Sequence, residues 1–321
     1  MLRIMIGALL LAFEASNAPA QDRFPSRTVR IIVPSSPGGV TDILARVIGQ
    51  GLSQAWGQPV MVDNRSGADG MIGLEAVAKS VSDGSTLLVS SDASFTAGPH
   101  LHKDMRYDTR KDFTPILVLG QITPVLNVPA SLPVHSVADL IALVKSKPGA
   151  LNYASFGNGT YAHLSFEDLK LRTGMNIMHI PYKGSTPAIT ALLRGEVSTL
   201  IVNMSNVADH VKAGTVRIIA AAGPKRPATR ADLPTIAEAG VPGFATGAWW
   251  GLFGPANLPR EVVDKIRADV AGILATPDVR RLYETNTIEP VDKTPEEFGK
   301  LIEHDLDHWG RLIKAVGVKI E

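Results

Sequence analysis

No cysteine occurs anywhere in the 321 residues. Disulfides, thiol nucleophiles and cysteine-based zinc sites are therefore excluded. An oxidising compartment is compatible with that absence but does not follow from it. Charge of one sign is equally lacking: 32 Lys and Arg stand against 31 Asp and Glu, a formal net charge of +1. No bulk electrostatic attraction to nucleic acid or to a membrane surface results. Long apolar runs are missing too, since no stretch approaches the roughly 20 residues that span a bilayer. Amphipathic helices expected over 40–56 and at the C-terminal end carry carboxylates on their polar faces, which fits core packing rather than membrane binding. Internal repeats and low-complexity segments are absent as well.

The N-terminus departs in character from the rest. Arg3 supplies a positive region, Ile4 to Phe13 an apolar one, and Ala18-Pro19-Ala20 a small-residue cleavage site before Gln21. Residues 1–20 thus read as a signal peptide, and the mature protein as exported to the periplasm without membrane insertion. The remainder, with 45% hydrophobic residues, is long enough for two packed domains.

Short apolar strands alternate with helices through most of the chain. Strands are predicted at 29–34, 59–64, 85–91, 115–128, 151–156, 176–182, 197–204 and 216–222. The helix over 40–56 shows the stripe Ile43, Leu44, Val47, Ile48 and Leu52. Thr186 followed by Pro187 reads as a helix start, and Gly195 as its stop. This rhythm predicts an α/β fold with mainly parallel sheets. After the hinge-like stretch GAWWGLFGPANLP the chain reads as helical over 259–275, 277–285 and 294–315. The last helix opens on a capping box, Thr294 and Glu297, with Pro295 at its first position. A helical tail without a sheet of its own must return to an existing domain. The expected organisation is therefore 21–122 with 246–321 as domain I and 123–245 as domain II.

Two glycine-rich turns carry the chemistry. Strand VRIIVP runs through SSPGGVTD into a helix, and strand LNYASF runs through GNGTYAH into another. Such turns aim free backbone N–H groups and the positive end of a helix dipole at one spot, which suits an anion. Gly38 and Gly39 let a carboxylate approach the first backbone, while Thr41 sits in its first helical turn. Asp42, which would repel an anion, is expected to cap or to complement the dipole. Asn158 and Thr160 are the side-chain partners in the second turn, with Thr160 alternatively a helix cap. Ser91 and Asp92 end a strand facing the same cleft.

Several motifs are read as structural. GNGTYA fits the dinucleotide fingerprint, but the next strand ends at Tyr182-Lys183 and supplies no acid for a ribose. His163 is read as a packed histidine. His304 and His308 stand four residues apart on a polar face with no third metal ligand. There is no G-x-S-x-G elbow. Catalytic residues, cofactors and metals are accordingly not expected.

The segments PSSPGGVTDILAR, NRSGADGMIG, DGSTLLVS, LNYASFGNGTYAHL, HIPYKGSTPAITALLRGEV, DLPTIAEAGVPGF and WGRLIKAVGVK occur in this order between Phe24 and Glu321. In this the chain resembles the Bug-type receptors, periplasmic solute-binding proteins of tripartite tricarboxylate transporters. The resemblance implies a type II periplasmic-binding-protein fold, with two α/β domains closing on a carboxylate and a helical C-terminal segment packed on domain I. It implies a large and a small permease subunit as partners, and a monomer is expected. It places the ligand between Pro34–Asp42 and Ser155–Thr160, completed by the turn at Tyr182–Gly184 and the strand end at Asn203. Ser35, Ser155, Gly157, Gly159, Lys183, Gly184 and Asn203 thereby join the candidate binding residues. The chain departs from the family pattern at Ser35, where an aromatic is common, and at Ser198 and Asn203, where acids are common. Asn203 is expected to remove a negative charge from the cleft wall. Function reads as capture of a small organic acid for such a transporter. The alternatives are a ligand-presenting co-receptor for a sensor, or a secreted hydrolase using Ser91 or Thr160 with His163.

Overall fold

The computed structural model describes residues 24–102 and 104–318; the expected signal peptide lies outside them. The strands are β1 (Val29–Val33), β2 (Val60–Asn64), β3 (Thr86–Ser91), β4 (Phe113–Ile122), β5 (Pro124–Pro129), β6 (Asn152–Ser155), β7 (Met178–Pro181), β8 (Thr199–Asn203), β9 (Val216–Ala221) and β10 (Ala248–Pro255). The helices are α1 (Val40–Trp56), α2 (Met71–Ala78), α3 (Gly98–Leu101), α4 (Val137–Ser146), α5 (Tyr161–Thr173), α6 (Ser185–Leu193), α7 (Ala208–Lys212), α8 (Arg260–Leu274), α9 (Pro277–Asn286) and α10 (Pro295–Val316).

Two five-stranded sheets result, ordered β2-β1-β3-β10-β4 and β7-β6-β8-β5-β9. Both have the same plan. Three parallel strands come from a βαβ run, and one antiparallel strand is inserted next to them. The inserted strand is in each case the first after the chain has crossed from the other sheet: β5 on the outward passage, β10 on the return. Each sheet is therefore mixed: four strands run one way and the inserted strand runs against them, giving two parallel and two antiparallel ladders, because a strand arriving from the neighbouring sheet enters from the opposite end.

Two sequence expectations fail at these crossings. The continuous apolar run 115–128 is not one strand. It is β4 and β5, which belong to different sheets and are separated by Thr123. The stretch around Trp249 and Trp250 is not a bare hinge but β10, buried throughout between β3 and β4. Unbroken hydrophobicity is the signature of a strand covered on both faces, and it conceals where one sheet ends and the next begins.

Each sheet is sandwiched by helices. Ile31 of β1 faces α1 and α8 with Leu44, Ile48 and Ile266, whereas its neighbour Ile32 faces the opposite layer with Leu74, Phe253 and Phe298. That alternation is the two-residue period of a strand buried on both sides. In the second sheet, Leu126 and Tyr153 pack on α4 and α5, while Val125 and Leu200 pack on α6. The capping box of α10 forms, with Thr294 Oγ1 accepting from Glu297 N and Glu297 Oε2 accepting from Thr294 N. Helix α6 begins at Ser185, with Gly184 as its cap, so Pro187 sits at the third helical position rather than the first. Helix α10 packs on the first sheet through Phe298, Ile302 and Leu306. Its final turns go further than expected: Trp309, Leu312 and Ile313 enclose Leu164 of α5, an element of the second sheet.

The two passages between sheets lie side by side. Ala248 pairs with Ile122, and Thr246 N donates to Ala222 O. Close approach explains two glycines there. A Cβ on Gly223 would stand 2.8 Å from Thr123, and one on Gly247 would stand 3.2 Å from the Ile122 carbonyl.

Candidate functional site

The first turns of α1 and α5, one from each sheet, border a single cavity of about 260 Å³. Val40 and Thr41 line one wall, Phe156, Thr160 and Tyr161 the facing wall, and Ser91, Asp92, Ala93, Ala248 and Trp250 the remainder. Neither helix has a side-chain cap: Gly39 and Thr160 occupy the cap positions and make no capping bond. The first N–H groups of a helix have no intrahelical acceptor. Two such ends, with their dipoles, thus meet one space from opposite lobes. A second cavity of about 440 Å³ shares Ala93 and Thr160 with the first. It is lined by hydroxyl-bearing and small residues, among them Ser35, Ser36, Ser66, Gly67, Ser94 and Asn158, together with His102. No Arg or Lys lines either cavity among the described residues.

Local hydrogen bonds hold both turns in shape. Asp42, 3% exposed, accepts from Gly38 N at 2.9 Å, Arg46 Nε at 3.0 Å and Asn64 Nδ2 at 2.9 Å. The Arg46 hydrogen bond outweighs burial and, with the others, holds this carboxyl down to about 2. Asp42 therefore braces the turn from inside, and it does so without capping α1. Gly38, at φ +92, occupies a conformation that strains any other residue. Trp250 Nε1 donates to Thr41 Oγ1 at 3.1 Å, tying the first turn to β10.

The second turn rests on a column of stacked rings, Phe166, Tyr153, His179 and His163, with successive centroids 4.3, 4.8 and 4.0 Å apart. His163 Nδ1 accepts from Gly159 N at 3.0 Å, and Ser155 Oγ contacts His179 Nε2 at 2.6 Å. Ser155 Oγ also accepts from Gly157 N, and Thr160 Oγ1 donates to Gly157 O at 2.7 Å. Burial lowers the basicity of both histidines, His179 to about 4, with the neighbouring His163 adding to the effect. The neutral imidazole of His163 is what lets its Nδ1 accept. These side chains shape the loop; Thr160 and His163 form no nucleophile–base pair with each other.

The predicted binding residues fall into distinct groups. Thr41, Ser91, Asp92 and Thr160 line the first cavity; Ser35, Asn158, Gly159 and Thr160 line the second. Gly38 and Gly39 form the exposed turn beside them, and a Cβ on either would meet nothing within 4 Å. Ser155 and Gly157 lie behind the second turn. Lys183 is exposed, and neither it nor Gly184 lines either cavity. Asn203 is put to a different use. Its Nδ2 donates to Asn286 O at 2.9 Å and its Oδ1 accepts from Thr287 Oγ1 at 2.5 Å, so both amide atoms bind the end of α9. Its side chain neither lines these two cavities nor caps the following helix.

Sequence reasoning missed Trp250, Phe156 and Tyr161, which supply the apolar walls of the first cavity. Tyr161 packs against the core clusters of both sheets. The signal lies in the aromatics that flank the second glycine turn, Phe156 before it and Tyr161 after it, and in the pair Trp249-Trp250, whose position in a hinge-like stretch hides its role. Ser66 and Gly67 of the second cavity lie in NRSGADG, a segment that the resemblance had included without a role.

Two α/β lobes around a shared anion-friendly cleft, joined by two adjacent chain passages, define a solute-binding protein rather than an enzyme. Residues 44–318 match the model of the TctC family, described as tripartite tricarboxylate transporter family receptor, and the chain belongs to that family. Protein BugT of Bordetella pertussis is 34% identical over 318 residues, covering 99% of this chain and 98% of BugT. Among solved structures, R. palustris Rpa4515 with adipate is 36% identical with a TM-score of 0.78, covering 92% of this chain and 99% of that one. MatC from Rhodopseudomonas palustris with bound malate is 31% identical with a TM-score of 0.74, covering 90% and 100%. The family is one of periplasmic receptors for small carboxylates, and no helix among the described residues is long and apolar enough to cross a membrane.

Proposed function

We propose that this protein captures a small organic acid in the periplasm and delivers it to the membrane permease subunits of a tripartite transporter. The observation that carries this reading is the convergence of two uncapped helix N-termini, from separate sheets, on one cavity. A carboxylate placed there receives backbone N–H groups and the hydroxyls of Thr41, Ser91 and Thr160, with no Arg or Lys in the lining among the described residues. The lobes 21–122 with 246–321 and 123–245 turn about the paired passages at Thr123 and Thr246–Ala248, burying the ligand on closure. Export follows cleavage near Ala20, and the mature chain acts as a monomer. The adipate and malate bound by relatives fit the same chemistry.

A thermal-shift screen against adipate, malate, benzoate and glutamate tests the reading. Ligand at about 100 times Kd adds about 2.7 kcal/mol of stability. A carboxylate is expected to raise the melting temperature and its neutral amide to leave it unchanged. No response to any carboxylate overturns the proposal.

A further inference from the structure

Among the described residues that line the first cavity, Asp92 alone carries a carboxyl. It follows directly on β3, where Ser91 pairs with Trp250, and it opens the π-helical turn Ala93–Ala97. Its side chain is 4% exposed, and Oδ1 has no hydrogen-bond partner. Backbone N–H groups of Ala93, Trp249 and Asp92 itself face the carboxyl and favour its charged form, but burial and Asp305 outweigh them. A deeply buried polar atom without a partner is unusual and costly, and in a binding cleft it marks a place for a ligand atom.

The surroundings decide which protonation state that atom is in. The titratable groups facing Asp92 are Asp305 from α10 and the Tyr161 hydroxyl from α5. Asp305 accepts from Trp249 Nε1 at 2.7 Å and contacts His304 Nδ1 at 3.0 Å. Among the described residues no Arg or Lys lines the cavity to offset a charge on Asp92. An ionised Asp92 would thus be both desolvated and opposed by a second acid. Burial first, and then the charge of Asp305, push this carboxyl well above the usual carboxylate range. A neutral carboxyl carries one O–H donor.

We propose that Asp92 stands in the cleft as a neutral carboxyl and donates its O–H to an oxygen of the bound organic acid. The cleft thereby selects ligands that present an acceptor oxygen at this point and rejects those that present an ammonium. Binding is also linked to the proton: once Asp92 ionises, two negative groups face each other and the ligand is repelled. This deepens the receptor reading above and rests on it. The helix N-termini attract the anion; Asp92 discriminates among anions.

Calorimetric titration of adipate, malate and glutamate into the wild-type protein, Asp92→Asn and Asp92→Ala tests this. In the wild type, adipate or malate is expected to bind more tightly than glutamate, with affinity falling as rising pH ionises Asp92. Asp92→Asn retains a donor but cannot ionise, so its affinity should lose the pH dependence. Asp92→Ala should lower affinity by about tenfold at the lower pH, the loss of one buried hydrogen bond. The wild-type pH profile and ligand order stand even if a variant folds poorly. Preference for glutamate, a flat or rising wild-type profile, or equal losses in Asn and Ala variants would overturn the inference while leaving the receptor reading intact. Failure of every ligand to bind the wild type overturns both.

Discussion

Thr287 Oγ1 donates to Asn203 Oδ1 at 2.5 Å, joining the C-cap of α9 to the residue that ends β8. Thr287 sits at φ +49, a left-handed conformation rare for a β-branched residue. Strain of this kind persists where surrounding contacts over-determine it. Here the contacts cross between the lobes, since α9 packs on the first sheet and β8 belongs to the second. The amide at position 203 is therefore a clasp.

Asn203→Asp should break that clasp. The donor to Asn286 O is replaced by a carboxylate oxygen that faces a carbonyl. Loss of a part-buried hydrogen bond with an oxygen left opposed costs about 1–3 kcal/mol. A lower melting temperature in the unliganded variant is the expected result. If melting is unchanged while ligand preference shifts toward an amino acid, Asn203 acts on the ligand and not on the lobes.

Gly39→Val separates binding from folding. A Cβ at Gly39 meets nothing within 4 Å and its φ is −80, so the variant should fold with stability changed by about 0.5 kcal/mol or less. Carboxylate affinity should nevertheless fall strongly, because the added methyls occupy the approach to the turn. Lys183→Ala, at an exposed position outside both cavities, should change affinity by less than about threefold. Comparable losses in the two variants, read by calorimetry, would show that a salt bridge holds the ligand.

Asp42→Ala removes the acceptor shared by Gly38, Arg46 and Asn64 and should destabilise the protein by about 2 kcal/mol. The pH dependence has a definite sign. The folded pKa is depressed to about 2, below the ordinary carboxylate value of about 3.9, so this contribution is complete above the unfolded value and lost as pH falls toward 2. Acid unfolding followed by circular dichroism should begin at higher pH in the variant.

The stacked histidines set a second window at milder acidity. His179 titrates near 4 in the folded chain against about 6.5 when unfolded, so the unfolded state takes up a proton first. Stability should decline as pH falls from about 6.5 toward about 4, by on the order of 1 kcal/mol after solvent screening for a half-buried ring. His179→Gln keeps a partner for Ser155 and cannot titrate, so denaturant midpoints at pH 5 and 7 should lie closer together than in the wild type. Identical pH slopes would dissociate this histidine from the effect.

Leu164→Ala should cost about 2–4 kcal/mol through the cavity it leaves among Trp309, Leu312 and Ile313. Those residues belong to α10 and Leu164 to α5, so the loss should also loosen the contact between lobes. Small-angle scattering should show a larger radius of gyration for the unliganded variant, and an unchanged value would confine the effect to local packing.

Local signals were strong enough to place most elements and both glycine turns from the sequence. The stripe of α1, the Thr294–Glu297 box and the turns SSPGG and GNGT depend on neighbours within a few residues, where side-chain period and backbone preference act directly. The order of seven motifs was enough to place the chain in its family. What stayed hidden depends on which strands meet across the fold. The run 115–128 divides between two sheets at Thr123, and β10 is drawn between β3 and β4, because burial on both faces erases the alternation that marks a strand's partners. The same holds for single residues. Asn203 reads as a cleft residue until Asn286 and Thr287 are found bound to it, and Asp92 reads as one more polar strand end until its burial, its unpartnered oxygen and Asp305 come together. A residue's type limits what it can donate, accept or neutralise; only the groups that the fold packs around it determine which of these it does.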